Sequence, residues 1–263
     1  MQVYQSLASS ATQARLAEIL SAQIPLSPLQ YSSPEQRATF LKQLRTELMT
    51  AGQVTAVSVT DVLPGTRGTP RTVAAGSITG GALVMTMPID SGYFATLGLP
   101  LLSGRALTDA DRDAAGSGVV VNDRLASLFF GEVSVVGRQI RFTSNPAERG
   151  SHDSRVIVGV VPSFRGEAPF SGPPIVYVPR APGASARSIL LMRGRVPPQE
   201  LAPVLRNAVV RLDPDVPLSD VLPLKAASGT RTAGARRSSD ATTQLRAPGR
   251  VSAHSGRILQ STR

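Results

Sequence analysis

The chain has 263 residues, of which 41% are hydrophobic and 17% are charged, which suffices for one large domain or two small ones around an ordinary core. It contains no cysteine, so disulfides, thiolate metal ligands and a thiol nucleophile are excluded. The two histidines, His152 and His254, lie far apart in the sequence, so neither a histidine metal site nor a Ser-His-Asp triad is expected.

The net charge of +10 is unevenly distributed along the chain. Residues 225–263 hold Lys225 and seven arginines against Asp240, which gives this segment +7 and leaves +3 for residues 1–224. The segment has no apolar period and cannot bury enough apolar surface to offset its chain entropy, so a disordered tail is predicted. Binding of nucleic acid or anionic lipid is the alternative, but without interleaved aromatic residues a solvated, nonspecific tail is favoured.

The apolar runs of the sequence are short. The longest, ALVMTM and VIVGVV, have the length of strands, whereas a membrane-spanning helix needs about 20 apolar residues. The N-terminal sequence also lacks a basic flank followed by a continuous apolar stretch, so no clear signal peptide is predicted.

In chain order, residues 4–22 are compatible with a weakly amphipathic helix, and the next segment carries the strongest helical signal. Ser33 is a typical N-cap, Pro34 suits the first helical position and Gly52 ends the segment. Its apolar stripe consists of Phe40, Leu41, Leu44 and Leu48. A later helix, 198–213, has an equally clear apolar face made of Leu201, Val204, Leu205, Ala208, Val209 and Leu212.

Shorter helices and many strands fill the rest of the chain. We expect short helices at SGYFATLG, which ends at Gly98, at TDADRD with Thr108 as its cap, and at 123–130. Alternating or β-branched residues predict strands at 24–30, 54–63, 82–90, 118–122, 137–142, 154–162, 173–179, 188–194 and 216–224. Residues 64–81 are rich in Gly, Pro and Thr and predict a mobile loop.

One pattern of predicted elements, a strand followed by a helix and a second strand, occurs twice in the chain. A strand, the helix 34–51 and a strand form a β-α-β unit, and the helix 198–213 lies in a second such unit near the end. The predicted fold class is therefore α+β, in which two β-α-β units form one layer and a strand-rich subdomain, 91–180, is inserted between them.

Chemical motifs are scarce. Four acidic residues, Asp90, Asp109, Asp111 and Asp113, could suggest a metal-binding loop, and the last three show the alternation of a calcium loop. Because the closing Glu is missing, an acidic helix N-terminus whose Asp residues face water is favoured. No phosphate-binding loop or nucleophile elbow is present, and Ser91, which has no plausible His partner, suits a helix cap. The aromatic residues Tyr93, Phe94, Phe129 and Phe130 are expected in the core rather than on a partner surface. No catalytic, cofactor-binding or metal-ligating residue is predicted.

A series of weak motifs carries a resemblance by its order and spacing. The motifs are YSSPEQRATFLKQLRTEL, IDSGYFATLGLPLLSGRALTDADR, GVVVNDRLASLFFGE, VGRQIRF, RVIVGVVPSFRGE, PPIVYVP and LDPDVPLSDVLPL. Over about residues 19–224 the sequence resembles the MacB-like periplasmic core domain of FtsX-type ABC transporter permeases. The resemblance implies a porter-like part made of β-α-β units, an inserted second subdomain and a non-catalytic role.

The resemblance also implies a domain organisation and partners. The predicted segments are a helical extension at 1–22, the two halves of the porter-like part at 23–90 and 181–225, the inserted subdomain at 91–180 and the basic tail at 226–263. Implied partners are permease transmembrane helices, an ABC ATPase and a periplasmic adaptor protein or substrate, on the periplasmic side of the inner membrane; no specific nucleic acid is expected.

Two readings of this chain stay open at this point. Because the transmembrane helices and the ATPase of such permeases are missing from the sequence, the chain is expected to be a fragment from a truncated or frame-shifted reading frame. The alternative is a free-standing soluble periplasmic binding module. The DNA that follows the gene would distinguish them, since permease helices encoded there in another frame favour the fragment.

Overall fold

The structure, a computed structural model, describes residues 16–64, 68–76, 78–112, 118–132, 134–143, 153–163 and 173–224. The chain divides into the units Met1–Ser228 and Gly229–Arg263, and all described residues belong to the first. The predicted tail, 226–263, and both histidines therefore lie outside the described residues.

The described residues form an α+β fold, as predicted. Its helices are α1 (Pro34–Thr50), α2 (Tyr93–Leu97), α3 (Asp123–Phe130) and α4 (Pro198–Leu212), with a 3₁₀ turn at Asp109–Arg112. Its strands are β1 (Ile19–Pro25), β2 (Val54–Thr60), β3 (Thr69–Ala75), β4 (Ile78–Ile89), β5 (Ser103–Gly104), β6 (Gly118–Asn122), β7 (Gln139–Thr143), β8 (Asp153–Val161), β9 (Ile175–Pro179), β10 (Arg187–Gly194) and β11 (Ser219–Pro223).

The two predicted β-α-β units are present and interleave. The first consists of β1, α1 and β2, the second of β10, α4 and β11, and the strands lie in the order β11-β1-β10-β2. Strand β10 runs antiparallel to both β1 and β2, and β1 runs antiparallel to β11. Each helix thus connects two parallel strands with a strand of the other unit between them, which is the split β-α-β arrangement. We call these four strands with α1 and α4 the porter-like part.

The middle strands pair into a ring. From β4 the order is β3, β7, β8, β6 and β9, and β9 returns to pair with β4 in parallel. The short strand β5 adds to β8. Because the pairing closes on itself, these six strands leave no open edge among themselves. We call them, with α3, the ring. The β3–β4 hairpin thus pairs with strands of the predicted inserted subdomain.

The core of the porter-like part lies between its sheet and its two helices. Phe40, Leu44 and Leu48 of α1 and Leu201 and Leu205 of α4 are at most 4% exposed, and they form one cluster with Leu20, Ala22, Ile24, Val57, Leu190 and Met192 of the strands. The alternate residues of these strands, such as Ile19 and Leu191, belong to a second cluster on the opposite face with the aromatic residues of α2. The sheet is therefore buried on both faces.

The strongest helix forms for local reasons that the sequence indicates correctly. The Ser33 side chain accepts a hydrogen bond of 3.2 Å from the Gln36 N–H, and the Gln36 side chain accepts one from the Ser33 N–H, which completes a capping box with Pro34 at the start of the helix. The predicted stop of α2 at Gly98 is confirmed, because this glycine adopts a left-handed conformation with φ of 63°.

Several sequence predictions are wrong near the start of the chain and in the predicted loop. The first strand is Ile19–Pro25 rather than 24–30, so residues 19–22 are not helical; a strand buried on both faces shows no alternation that would reveal it. Residues 69–75 and 78–81 of the predicted loop are strand, because their backbone pairs with β7 and with each other. Ser91 is not a helix cap, since Gly92 holds that position.

The predicted core position of the aromatic residues is confirmed for three of the four. Tyr93, Phe94 and Phe129 are at most 4% exposed, whereas Phe130 is partly buried against the core of the ring. The rings of Tyr93 and Phe94 contact each other edge to face, and Tyr177 of β9 packs against both. Helix α2 therefore contacts the ring through aromatic side chains, and the same side chains belong to the apolar cluster that includes Ile19 and Leu191 of the porter-like sheet.

Candidate functional site

The candidate site is the junction at which the ring meets the porter-like part. Strands β2 and β4 share a single residue pair, Thr60 with Ile89. Such a short ladder offers few backbone hydrogen bonds, so side chains must contribute to the connection between the two parts. Two charged residues, Asp90 and Arg180, lie directly after strands β4 and β9 of the ring and contact the porter-like part.

Asp90 joins the end of β4 to β2. Its carboxylate accepts hydrogen bonds from the Ser58 hydroxyl at 2.7 Å, from the Val59 N–H at 2.8 Å and from the Gly92 N–H at 3.1 Å. The Arg45 guanidinium of α1 lies 3.9 Å away. Burial raises the pKa of Asp90 above the usual range of an aspartate, although the hydrogen bonds and Arg45 act in the opposite direction. The carboxylate is thus an internal acceptor that fixes the corner before α2.

Arg180 makes the second connection. Its backbone N–H donates to the carbonyl of Ile89 at 2.8 Å, its Nε to Asp61 at 2.9 Å and a terminal nitrogen to the Ser188 hydroxyl at 2.8 Å. The side chain is 5% exposed, so its charge is stabilised by the Asp61 carboxylate rather than by water. A single side chain therefore bridges β9 of the ring to the end of β2 and to β10.

The stretch after α2 is a structural corner, not a metal loop. The Asp111 carboxylate accepts two hydrogen bonds from Arg105, at 2.6 and 2.8 Å, and others from the N–H and hydroxyl of Thr108. Arg105 and Thr108 hold the pKa of Asp111 well below its usual range. The prediction that these acidic residues face water is correct for Asp109, whose side chain is 75% exposed, and wrong for Asp111, which is buried.

Metal binding receives no support from the described residues. Among them, no group of three or more His, Asp or Glu side chains could hold a metal ion. Asp90 and Asp111 are each occupied by internal donors, and Asp113 lies outside the described residues. The expectation that the chain holds no catalytic, cofactor or metal residue stays a prediction.

Sequence reasoning missed both residues of the junction. The sequence marks Asp90 only as one of several acidic residues, and Arg180 carries no pattern at all. Their partners are remote in sequence: Ser58 lies 32 positions before Asp90, and Asp61 lies 119 positions before Arg180. A local pattern cannot encode such pairings. The one available signal was the position of each residue directly after a predicted strand.

Comparison with known protein families decides the classification. A family model described as the MacB-like periplasmic core domain matches residues 3–222. The chain belongs to this family. The match confirms the resemblance that the ordered motifs indicated, and it spans both the porter-like part and the ring of this MacB-like domain.

Solved structures similar to this MacB-like domain come from several bacteria. The periplasmic region of MacB from Actinobacillus actinomycetemcomitans matches with a TM-score of 0.49 and 14% identity over 82% of this chain and 92% of that chain. A domain of a protein described as a permease from Porphyromonas gingivalis has a TM-score of 0.49 and 15% identity, over 78% and 88% of the two chains. The extracellular domain of the noncanonic ABC-type transporter YknZ from Gram-positive bacteria matches with a TM-score of 0.46 and 14% identity, over 75% of this chain and 94% of that chain.

No curated protein sequence matches the chain at a significant level. Within the part of the chain that the structure describes, no helix is both long enough and apolar enough to cross a membrane.

Proposed function

We propose that this chain is the extracytoplasmic domain of an ABC-type export permease, on the periplasmic side of the inner membrane. In this role it relays motion of permease transmembrane helices, driven by an ABC ATPase, to a substrate or adaptor protein outside the membrane. It carries out no covalent chemistry itself. The single observation that carries the proposal is the family match over residues 3–222.

The construction of the junction supports a mechanical role. The porter-like part and the ring each have a buried core of their own. They are joined by a β2–β4 ladder of one residue pair and by an apolar cluster in which Ile19 and Leu191 of the sheet lie with Tyr177 of the ring. Around the ladder, Asp90 and Arg180 supply polar connections of defined geometry. Two packed bodies that share one short ladder and an apolar interface are suited to small shear movements of one body on the other. A relay between membrane helices and external partners needs movements of this kind.

The composition supports a non-catalytic role. The chain has no cysteine and no phosphate-binding loop, and its two histidines are 102 positions apart, at 152 and 254. Hydrolysis of ATP or of a substrate by a nucleophile with an adjacent base therefore lacks its usual parts. Purified chain mixed with ATP should show neither binding nor turnover, and stoichiometric ATP binding would contradict this part of the proposal.

Membership in a permease is tested in the producing organism. A tag on the chromosomal gene and purification from membranes in mild detergent should recover an ABC ATPase and a membrane-spanning permease protein, identified by mass spectrometry. A chain that fractionates only with soluble periplasmic proteins, without any ABC ATPase, would contradict the proposal and favour a free-standing binding module.

The relay itself is tested by locking the junction in that purified complex. Because this chain has no cysteine of its own, an introduced pair, Thr60→Cys with Ile89→Cys, has no competing thiol in the chain. The two positions are directly opposed on antiparallel strands, whose spacing suits a disulfide. Oxidation should lower the ATPase activity of the complex, and reduction should restore it.

The matched control joins two strands inside the ring, with Thr72→Cys and Leu83→Cys at opposed positions of β3 and β4. Its oxidation should leave the ATPase activity unchanged. Equal effects of the two disulfides, or no effect of either, would remove the junction from the relay while leaving the family membership intact.

A further inference from the structure

A groove with a volume of about 770 Å³ lies at the junction. One wall is α1, and the other is formed by residues around Arg112 and Arg180. Ligand sites in proteins typically have volumes of about 300–1,000 Å³. The groove therefore has room for a molecule of the size of a small lipid or a short acyl chain.

The α1 wall presents its residues at helical spacing. Ala38, Lys42, Arg45 and Met49 all line the groove, and their intervals of three and four positions place them along one face of the helix. This face is distinct from the buried stripe around Leu44 and Leu48 that packs on the sheet. Helix α1 thus uses one face for the core and another for the groove.

Positive charges outnumber negative charges among the side chains that line the groove. Four cationic side chains and two anionic ones line it, a net charge of +2. Both anions have internal partners: Asp90 accepts from Ser58 and Val59, and Asp109 lies 3.1 Å from Arg112. Asp61, which does not line the groove, balances Arg180.

The cationic charge that remains is on α1. Lys42 is exposed and takes part in no ion pair with the other described residues, and Arg45 is 40% exposed with only a 3.9 Å approach to Asp90. An ammonium and a guanidinium one helical turn apart can bind the same acidic group.

The groove also has an apolar component. Met49, 46% exposed, lines the groove together with Leu41 and Val59, which are buried. Methionine is flexible and adapts to irregular apolar ligands. An exposed methionine at the end of a cationic row offers an apolar surface directly beside the charge.

We propose that this groove binds a small amphiphilic anion, with its acidic group at Lys42 and Arg45 and its apolar body along Met49. This ligand site is separate from the proposed permease function, because it rests on the residues that line the groove and not on the family match. Because the groove is lined by both α1 and the residues next to the ring, a bound ligand contacts both sides of the junction.

The test is calorimetric titration of the full chain with dodecanoate below its micelle-forming concentration. One equivalent should bind, and dodecyltrimethylammonium, of equal chain length and opposite charge, should bind at least about tenfold more weakly. The Lys42→Glu variant should bind dodecanoate about tenfold more weakly, since an attraction becomes a repulsion at a solvent-exposed position. The Lys42→Arg variant keeps the charge and should retain the affinity.

A matched control and a local probe make the outcome specific. Arg206→Glu reverses a charge on an exposed position of α4, outside the groove, and should leave the affinity unchanged. The chain has five methionines, so methyl labelling of methionine gives a simple NMR spectrum. The Met49 signal, assigned with the Met49→Leu variant, should shift when dodecanoate is added.

Three outcomes would overturn the proposal. The first is no binding of dodecanoate up to about 1 mM, a dissociation constant that corresponds to only about 4 kcal/mol of binding free energy. The second is equal affinity for the anionic and the cationic probe. The third is an equal loss of dodecanoate affinity in Lys42→Glu and Arg206→Glu. Circular dichroism of each variant checks that it is folded. None of these results bears on co-purification with an ABC ATPase, so failure of the ligand site and failure of the permease assignment are distinguishable.

Discussion

The carboxylate of Asp90 accepts a hydrogen bond of 2.7 Å from the hydroxyl of Ser58, across the narrow point where β4 meets β2. The same carboxylate accepts the Val59 N–H at 2.8 Å, so one side chain satisfies two donors of the neighbouring strand. A ladder of a single residue pair could not hold these donors in place. Asp90 thus replaces the backbone pairing that β2 and β4 lack.

Removal of this carboxylate should destabilise the fold. In Asp90→Ala, the Ser58 hydroxyl and the Val59 N–H lose their acceptor, and an unsatisfied buried polar group costs about 1–3 kcal/mol. We expect a loss of about 2 kcal/mol in the free energy of unfolding at pH 7, measured by urea denaturation. The exposed Asp109→Ala is the control and should change it by less than about 0.5 kcal/mol.

The pH dependence of this loss has a defined sign. Burial raises the pKa of Asp90 in the folded protein above its unfolded value, so the folded state holds the proton more strongly. The stronger binding of this proton in the folded state adds to the free energy of unfolding. This added stability is fully present below the pKa that Asp90 has in the unfolded chain, and it is lost as the pH rises through its pKa in the folded protein. The destabilisation by Asp90→Ala should therefore be larger at acidic pH than at neutral pH. A penalty that grows with rising pH would contradict the assignment of burial as the dominant cause.

Asp111 should show the opposite dependence. Its hydrogen bonds with Arg105 and Thr108 lower its pKa, so its stabilising contribution is present above the unfolded pKa, about 3.9, and is lost as the pH falls towards the folded value. Asp111→Ala should cost about 2 kcal/mol at pH 7 and clearly less at about pH 3. Urea denaturation at both pH values checks this, and an equal penalty at both would exclude the ionised carboxylate as the source.

A glycine holds the connection between β9 and β10 against the start of α1. Gly183 has φ of 67°, and a Cβ there would approach the Pro34 carbonyl oxygen to 1.8 Å, while its own carbonyl accepts from Arg37 at 2.7 Å. Gly183→Ala should therefore lower the melting temperature by several degrees, since about 1 kcal/mol shifts the midpoint of a domain of this size by about 2–4 °C.

Gly52→Ala provides the matched control for that substitution. Gly52 has ordinary backbone angles and nothing within 4 Å of an added Cβ. The alanine should leave the melting temperature unchanged or raise it slightly, because it restricts the unfolded chain. Similar losses in both variants would mean that the contact with α1 does not set the penalty.

Truncation of a buried leucine should destabilise the fold to a similar extent in α1 and in α4, the helices of the two β-α-β units. Leu44 and Leu205 are 0% exposed in one core cluster, so truncation of either to alanine should cost about 2–5 kcal/mol. The exposed Val210→Ala on α4 should have a small effect. Thermal unfolding of the three variants measures this, and an unchanged midpoint for Leu44→Ala or Leu205→Ala would contradict the shared core.

The sequence by itself determined those features that short-range rules control. Ser33 and Pro34 start α1 because a cap and a proline act within one turn, and the apolar residues of α1 and α4 recur every three or four positions because each helix buries one face. The stop at Gly98 follows from the left-handed conformation that glycine tolerates. The order of such local motifs along the chain was sufficient to indicate the family.

Only the tertiary structure decided which strands pair and which charged side chains meet. The β3–β4 hairpin lies in a Gly- and Thr-rich stretch, and it becomes strand because β7 and β9 supply its partners. The interleaving of the two β-α-β units and the contacts of Asp90 with Ser58 likewise join residues far apart in sequence. Such contacts depend on long-range packing, which no local periodicity encodes, because a strand or a carboxylate has the same local pattern whichever partner it finds.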